Sequence, residues 1–124
     1  MNHSRRNEPL RYSFSPEMPC SIQLYEINNC QLDSNQGKAY ILDLSSNGCK
    51  LESQLNFKVK YNECKIILTL KLTQNVELRG TIIWQDTRPH AHRYGIRIEP
   101  AYQKLITEEL KAYSKMQKQG SSEA

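Results

Sequence analysis

The sequence predicts a mainly β fold: a six-stranded antiparallel barrel with an N-terminal arm and one C-terminal α-helix. Between residues 19 and 99, apolar and polar residues alternate in six short runs separated by Asn, Asp, Gly, Ser and Pro, which is the pattern of short antiparallel strands. After Pro100 the apolar spacing changes from every second residue to every third or fourth, the period of a helix. A chain of 124 residues suits one domain with one modest core. Short strands joined by turn signals in a chain of that size point to a sheet closed on itself.

Residues 1–18 are polar, are broken by Pro9 and Pro16, and read as a flexible extended arm. The first strand is expected from Pro19 to about Ile27, with Cys20, Ile22 and Leu24 alternating against Ser21, Gln23 and Tyr25. A loop rich in Asn, Asp, Ser and Gly leads to a second strand, Lys38 to Ser45. The SNG turn then feeds a third, in which Cys49 and Leu51 alternate with Lys50 and Glu52.

Residues 53–63 hold no clear period. From Cys64 to Leu72 the strand signal is plain, with Cys64, Ile66, Leu68, Leu70 and Leu72 on one face. TQN turns the chain into a strand from Val76 to Gln85, and RYGIRIE returns with Tyr94, Ile96 and Ile98 inward. The barrel thus spans 19–99. Over 100–118 a helix is expected: Pro100 suits its start, and Tyr102, Leu105, Ile106, Leu110 and Tyr113 form an apolar stripe that the barrel or a second subunit must cover. Residues 119–124 read as a disordered tail.

Composition narrows the function. The longest apolar run is too short to span a bilayer, and the basic N-terminus is not followed by the apolar stretch of a secretory signal, so a cytoplasmic protein is expected. Cys20, Cys30, Cys49 and Cys64 form no CxxC pair and match no zinc module. They are expected to be reduced, with Cys49 and Cys64 pointing into the core. His90 and His92 lack an evident third ligand, and Ser45 with Asp43 lacks a histidine, so no catalysis, metal or cofactor is expected. Neither GxxxxGK[ST] nor GxGxxG occurs. Aromatics, at 8%, are sparse for a barrel that stacks nucleic-acid bases, and Trp84 at the end of GTIIW is expected in the core or at the barrel mouth, so no DNA or RNA is expected.

Two polar groups remain. Arg5, Arg6 and Arg11 cluster ahead of the first strand, and Asp43 and Ser45 share one strand face, with Leu42 and Leu44 on the other, before the break at Asn47 and Gly48. Arginine donates in a planar fork to phosphate oxygens or to O6 and N7 of guanine, and a carboxylate accepts from the guanine N1 and N2 hydrogens. A glycine allows positive φ or close approach to a ligand. A ligand carrying guanines and phosphates would use every member of the set.

These residues resemble a known family. DLSSNG, Asp43 to Gly48, fits the DxSxxG signature of PilZ domains, and RRNEPLR, Arg5 to Arg11, resembles the arginine motif ahead of the barrel in that family. The order of arm, first strand, DxSxxG at the junction of the second and third strands, GTIIW and YGIRI is also similar. The resemblance covers about residues 4–118 and implies a stand-alone, non-enzymatic receptor for cyclic di-GMP, a bacterial second messenger of two guanines and two phosphates in a ring. It implies that Arg5, Arg6 and Arg11 fold over the ligand, with Asp43, Ser45 and Gly48 beneath it and Asn47 as a neighbour. The arm's closure would then signal to a partner protein, the chain itself being a monomer or dimer. The spacing departs from the family in one respect: four residues separate Arg6 from Arg11, where the usual pair has three between. The alternative is a PilZ-like module that acts through protein contacts without the nucleotide.

Overall fold

In a computed structural model of the chain, residues 10–123 are described, with side chains described through Lys118. Seven strands run in chain order: β1 (Arg11–Ile27), β2 (Cys30–Gln31), β3 (Gly37–Ser45), β4 (Gly48–Ser53), β5 (Cys64–Lys71), β6 (Asn75–Thr87) and β7 (His92–Ile98). A 3-10 turn, Pro100–Tyr102, then leads into α1 (Gln103–Glu123). The sheet order is β2-β1-β3-β4-β7-β6-β5, and antiparallel pairing of β1 with β5 closes six of the strands into a barrel. The short β2 lies outside the ring, paired only with the end of β1.

The inward residues are those that alternation selects. Ile66, Leu68 and Leu70 of β5 and Tyr94, Ile96 and Ile98 of β7 are buried, as is Ile22 of β1. Each such side chain removed from water contributes about 1.5–3 kcal/mol, and together they form one continuous core. Cys49 and Cys64 belong to that core, Cys30 is exposed, and all four thiols are free. Burial pushes the Cys20 thiol up to about 12 and those of Cys49 and Cys64 above their ordinary value, so these three hold their protons at neutral pH.

Besides the added β2 and shifts of one or two residues elsewhere, element ends differ from expectation most at two places. The strand expected from Pro19 begins at Arg11, so the second half of the expected arm is laid down as β1. Tyr12 and Phe14 supply inward side chains there, and the pairing with β3 slips between Ser13 and Met18, where Pro16 has no N–H to give to a ladder. At the other end, α1 continues past residue 118 to Glu123. The one glycine in this stretch, Gly120, costs a helix about 1 kcal/mol, too little to stop it alone.

The centre of the helix stripe is covered by the chain's own barrel, while Leu105, expected in the stripe, is exposed. Ile106 and Leu110 are fully buried, and the Tyr113 ring stands edge-on to Tyr12 at 5.4 Å and to Phe14 at 5.8 Å. The buried Glu109 carboxylate accepts from Thr73 Oγ1 at 2.7 Å, Thr73 N at 3.3 Å and Gln74 Nε2 at 2.9 Å, which fastens the helix to the β5–β6 turn. Three polar partners satisfy a charge that would otherwise be costly to bury. No helix among the described residues is long and apolar enough to cross a membrane.

Candidate functional site

Strand register brings Arg11 to the DLSSNG turn. Across the β1–β3 ladder Arg11 lies opposite Ser45, Tyr12 opposite Leu44, and Ser13 opposite Asp43. Residues 32 apart in sequence therefore meet, and Arg11 Nη1 donates to Asp43 Oδ1. The Arg11 side chain is 54% exposed and that of Asp43 19%, so the guanidinium faces outward while the carboxylate sits lower in the surface. Arg5 and Arg6 lie outside the described residues.

Ser45 is fully buried. Its Oγ accepts from the backbone N–H of Asn47 and of Gly48, each at 3.3 Å, a serine-capped turn that shapes the end of β3. The turn is also pinned from β7, where Ile98 N donates to Asn47 O at 3.0 Å. Gly48 has no positive φ, contrary to one of its two expected uses. It is required by a close approach: a Cβ there would sit 2.9 Å from the Ile96 carbonyl oxygen of the neighbouring strand.

Two register slips shape the surface around the turn. Between Ile41 and Asp43 the β3–β4 ladder gains a residue, so Ile41 and Leu44 both point inward and Leu42 is only half-buried, rather than pairing with Leu44 on the inner face. Asp43 stays on the outer side. Between Ile82 and Trp84 the β6–β7 ladder gains Ile83, so Ile82 is buried while Ile83 and Trp84 are exposed. Trp84, expected in the core or at the barrel mouth, is exposed outside the core, its indole over Gly95, where a Cβ would overlap the ring.

The result is an open cleft of about 350 Å³. Arg11, Asp43, Asn47 and Gly48 line it, joined by Lys50 of β4, Trp84 of β6 and Arg97 of β7. Three cations face one carboxylate, so the cleft suits an anion. The set combines an arginine fork, a carboxylate acceptor, two further cations and an indole face. Lys50, Trp84 and Arg97 were missed in the sequence. Alternation placed Lys50 and Arg97 outward but did not say that they shared a face with Asp43; for Trp84, only the glycine that turns out to lie beneath its ring was a sign.

Beyond this cleft, His92 is held in β7, its Nδ1 3.0 Å from Thr87 Oγ1 and 3.2 Å from Gln85 Nε2. No cluster of three or more His, Cys, Asp or Glu among the described residues is arranged to hold a metal.

Comparison with protein-family models finds the PilZ domain over residues 4–114. The chain belongs to the PilZ domain family. That match takes in both the arginine segment and DLSSNG, on the closed six-stranded antiparallel barrel that was expected. PilZ domains are binding and adaptor modules that take cyclic di-GMP, not a family of enzymes. No curated protein matches the chain.

Proposed function

We propose that this PilZ domain is a receptor for cyclic di-GMP in the bacterial cytoplasm, and that ligand binding closes the arginine segment over the nucleotide and alters the surface offered to a protein partner. The observation that carries the proposal is the Arg11–Asp43 pair set at a cationic cleft beside the DLSSNG turn. Ligand entry exchanges this pair for contacts to the nucleotide. Arg11 presents its fork to guanine O6 and N7 or to a phosphate, and Asp43 accepts from the guanine N1 and N2 hydrogens. Arg5 and Arg6 close from above, and Lys50 and Arg97 balance phosphate charge. Asn47 and Gly48 form the floor, and Ser45 serves by keeping the turn in shape. Trp84 offers a ring face for a purine.

Titration calorimetry tests this. Wild-type protein should bind cyclic di-GMP saturably, and Arg11→Ala, Asp43→Ala and Arg6→Ala should each weaken binding by about tenfold or more, the loss of about 1.4 kcal/mol. Lys115→Ala should not. Because Trp84 is the only tryptophan, its fluorescence should report the same titration. No heat from the wild type, or undiminished binding by Arg11→Ala and Asp43→Ala, would sink the proposal.

A second reading has its own support. Arg11 and Asp43 already satisfy one another, and Arg6 and Arg11 are one residue farther apart than the family's usual pair. On this reading the chain is a protein-interaction module without the nucleotide. Wild type and Arg11→Ala would then recover the same partners whether or not cyclic di-GMP is present.

A further inference from the structure

Beside the ligand cleft lies a larger one, of about 770 Å³, that the proposed function leaves unused. Its walls include Lys58, Val59, Lys60 and Tyr61 from the β4–β5 loop and Ile83 and Trp84 from β6. Tyr61 is 76% exposed, Ile83 52% and Trp84 39%, a concentration of apolar surface that marks an interaction site better than scattered single residues do.

The loop is held in place. Val59 N donates to Gln85 Oε1 at 3.0 Å, Gln85 Nε2 donates to Asn56 Oδ1 at 2.9 Å, and Asn62 Nδ2 donates to Lys58 O at 3.1 Å. Beneath it Tyr94 Oη donates to Leu55 O at 2.5 Å and accepts from Phe57 N at 3.1 Å. Tyr61 and the lysines are thus presented on a fixed platform, which lowers the ordering cost of binding.

Charge selects the occupant. The walls carry two lysines and no carboxylate, and neither lysine is in an ion pair among the described residues. The chain's own residues 1–9 bring Arg5 and Arg6, and a second copy presenting this face brings the same lysines, so both have the wrong sign. Val59 and Ile83 add aliphatic surface to the same walls, which suits an apolar side chain better than a stacked base.

We propose that this cleft docks a partner-protein segment of mixed acidic and apolar residues, its carboxylates on Lys58 and Lys60 and an apolar side chain between Tyr61 and Trp84. Ile83 and Trp84 belong to both clefts, so the segment touches the wall that the nucleotide also meets. That coupling rests on the proposed receptor function; the docking does not.

A random-peptide library selected on the full chain provides the probe. The expected result is enrichment of peptides pairing Asp or Glu with Leu or an aromatic, whose synthetic forms bind about tenfold or more weakly to Tyr61→Ala and to Lys58→Glu with Lys60→Glu. These are exposed positions, and unchanged circular dichroism and unchanged calorimetric response to cyclic di-GMP would show that the fold is intact. The proposal is overturned if nothing enriches, if the selected peptides lack acidic residues, if the variants bind them undiminished, or if this face instead takes labelled oligo-dT with a steep salt dependence. A wild type that binds the peptide but gives no heat with cyclic di-GMP overturns the receptor reading and leaves the docking cleft standing.

Discussion

Arg11 and Tyr12 are neighbours in the chain, yet Arg11 belongs to the open cationic cleft and Tyr12 to the packing beneath the helix. The helix-covered region is held by area removed from water: Ile106 and Leu110 are fully buried, and three aromatic rings meet edge to face or tilted. The cleft is held by register and by hydrogen bonds around Ser45, and its one ion pair is half open to solvent. Alternation along a single strand separates the two roles, since successive side chains point to opposite faces. Stability and binding are therefore expected to respond to different substitutions.

The strongest break in that comparison is Leu110→Ala, which removes a fully buried side chain from under the helix. It should cost about 2–5 kcal/mol in urea unfolding, while the protein that remains folded still binds cyclic di-GMP. Gly48→Ala should act on both regions. Its Cβ meets the Ile96 carbonyl, so the β4–β7 ladder must shift at a cost of about 1–3 kcal/mol, and the displaced turn should also weaken ligand binding in calorimetry.

Arg11→Ala sharpens the contrast from the other side. An exposed ion pair contributes about 0–1 kcal/mol, so the urea midpoint should barely move even as nucleotide binding falls. A stability loss like that of Leu110→Ala would show that the two regions are not separable.

A smaller effect comes from Tyr25, whose hydroxyl donates to Glu99 Oε2 at 2.7 Å and ties β1 to the segment just before the helix. Burial first, and then the Glu99 hydrogen bond, push its phenol up to about 12 from 10.0. Because the folded value is the higher one, this contribution is complete below about pH 10 and is lost as pH rises toward about 12. Urea unfolding between these limits should show a steeper loss for wild type than for Tyr25→Phe.

Much of this was legible in the sequence. The inward faces of β5 and β7 and the helix after Pro100 follow from residue spacing, because the two-residue period of a strand and the 3.6-residue period of a helix are properties of the backbone itself, whereas Arg11, expected in a flexible arm, was linked to DLSSNG not by spacing but by ligand chemistry and the family resemblance. Turn residues did the rest locally, as with Ser45 at the end of β3. What the tertiary structure alone decided is which residues share a surface. A bulge is an extra residue relative to a partner strand, so its position depends on a neighbour distant in sequence, and one such slip reverses the side of everything that follows. That is why Trp84, counted inward from Ile82, stands outside on Gly95. The use of Gly48 was also set by a neighbouring strand: the nearby Ile96 carbonyl, and not a left-handed turn, is what requires a glycine there. Closure of β1 onto β5, with β3, β4, β7 and β6 completing the ring, then brings Arg11, Asp43, Lys50, Trp84 and Arg97 around one cleft.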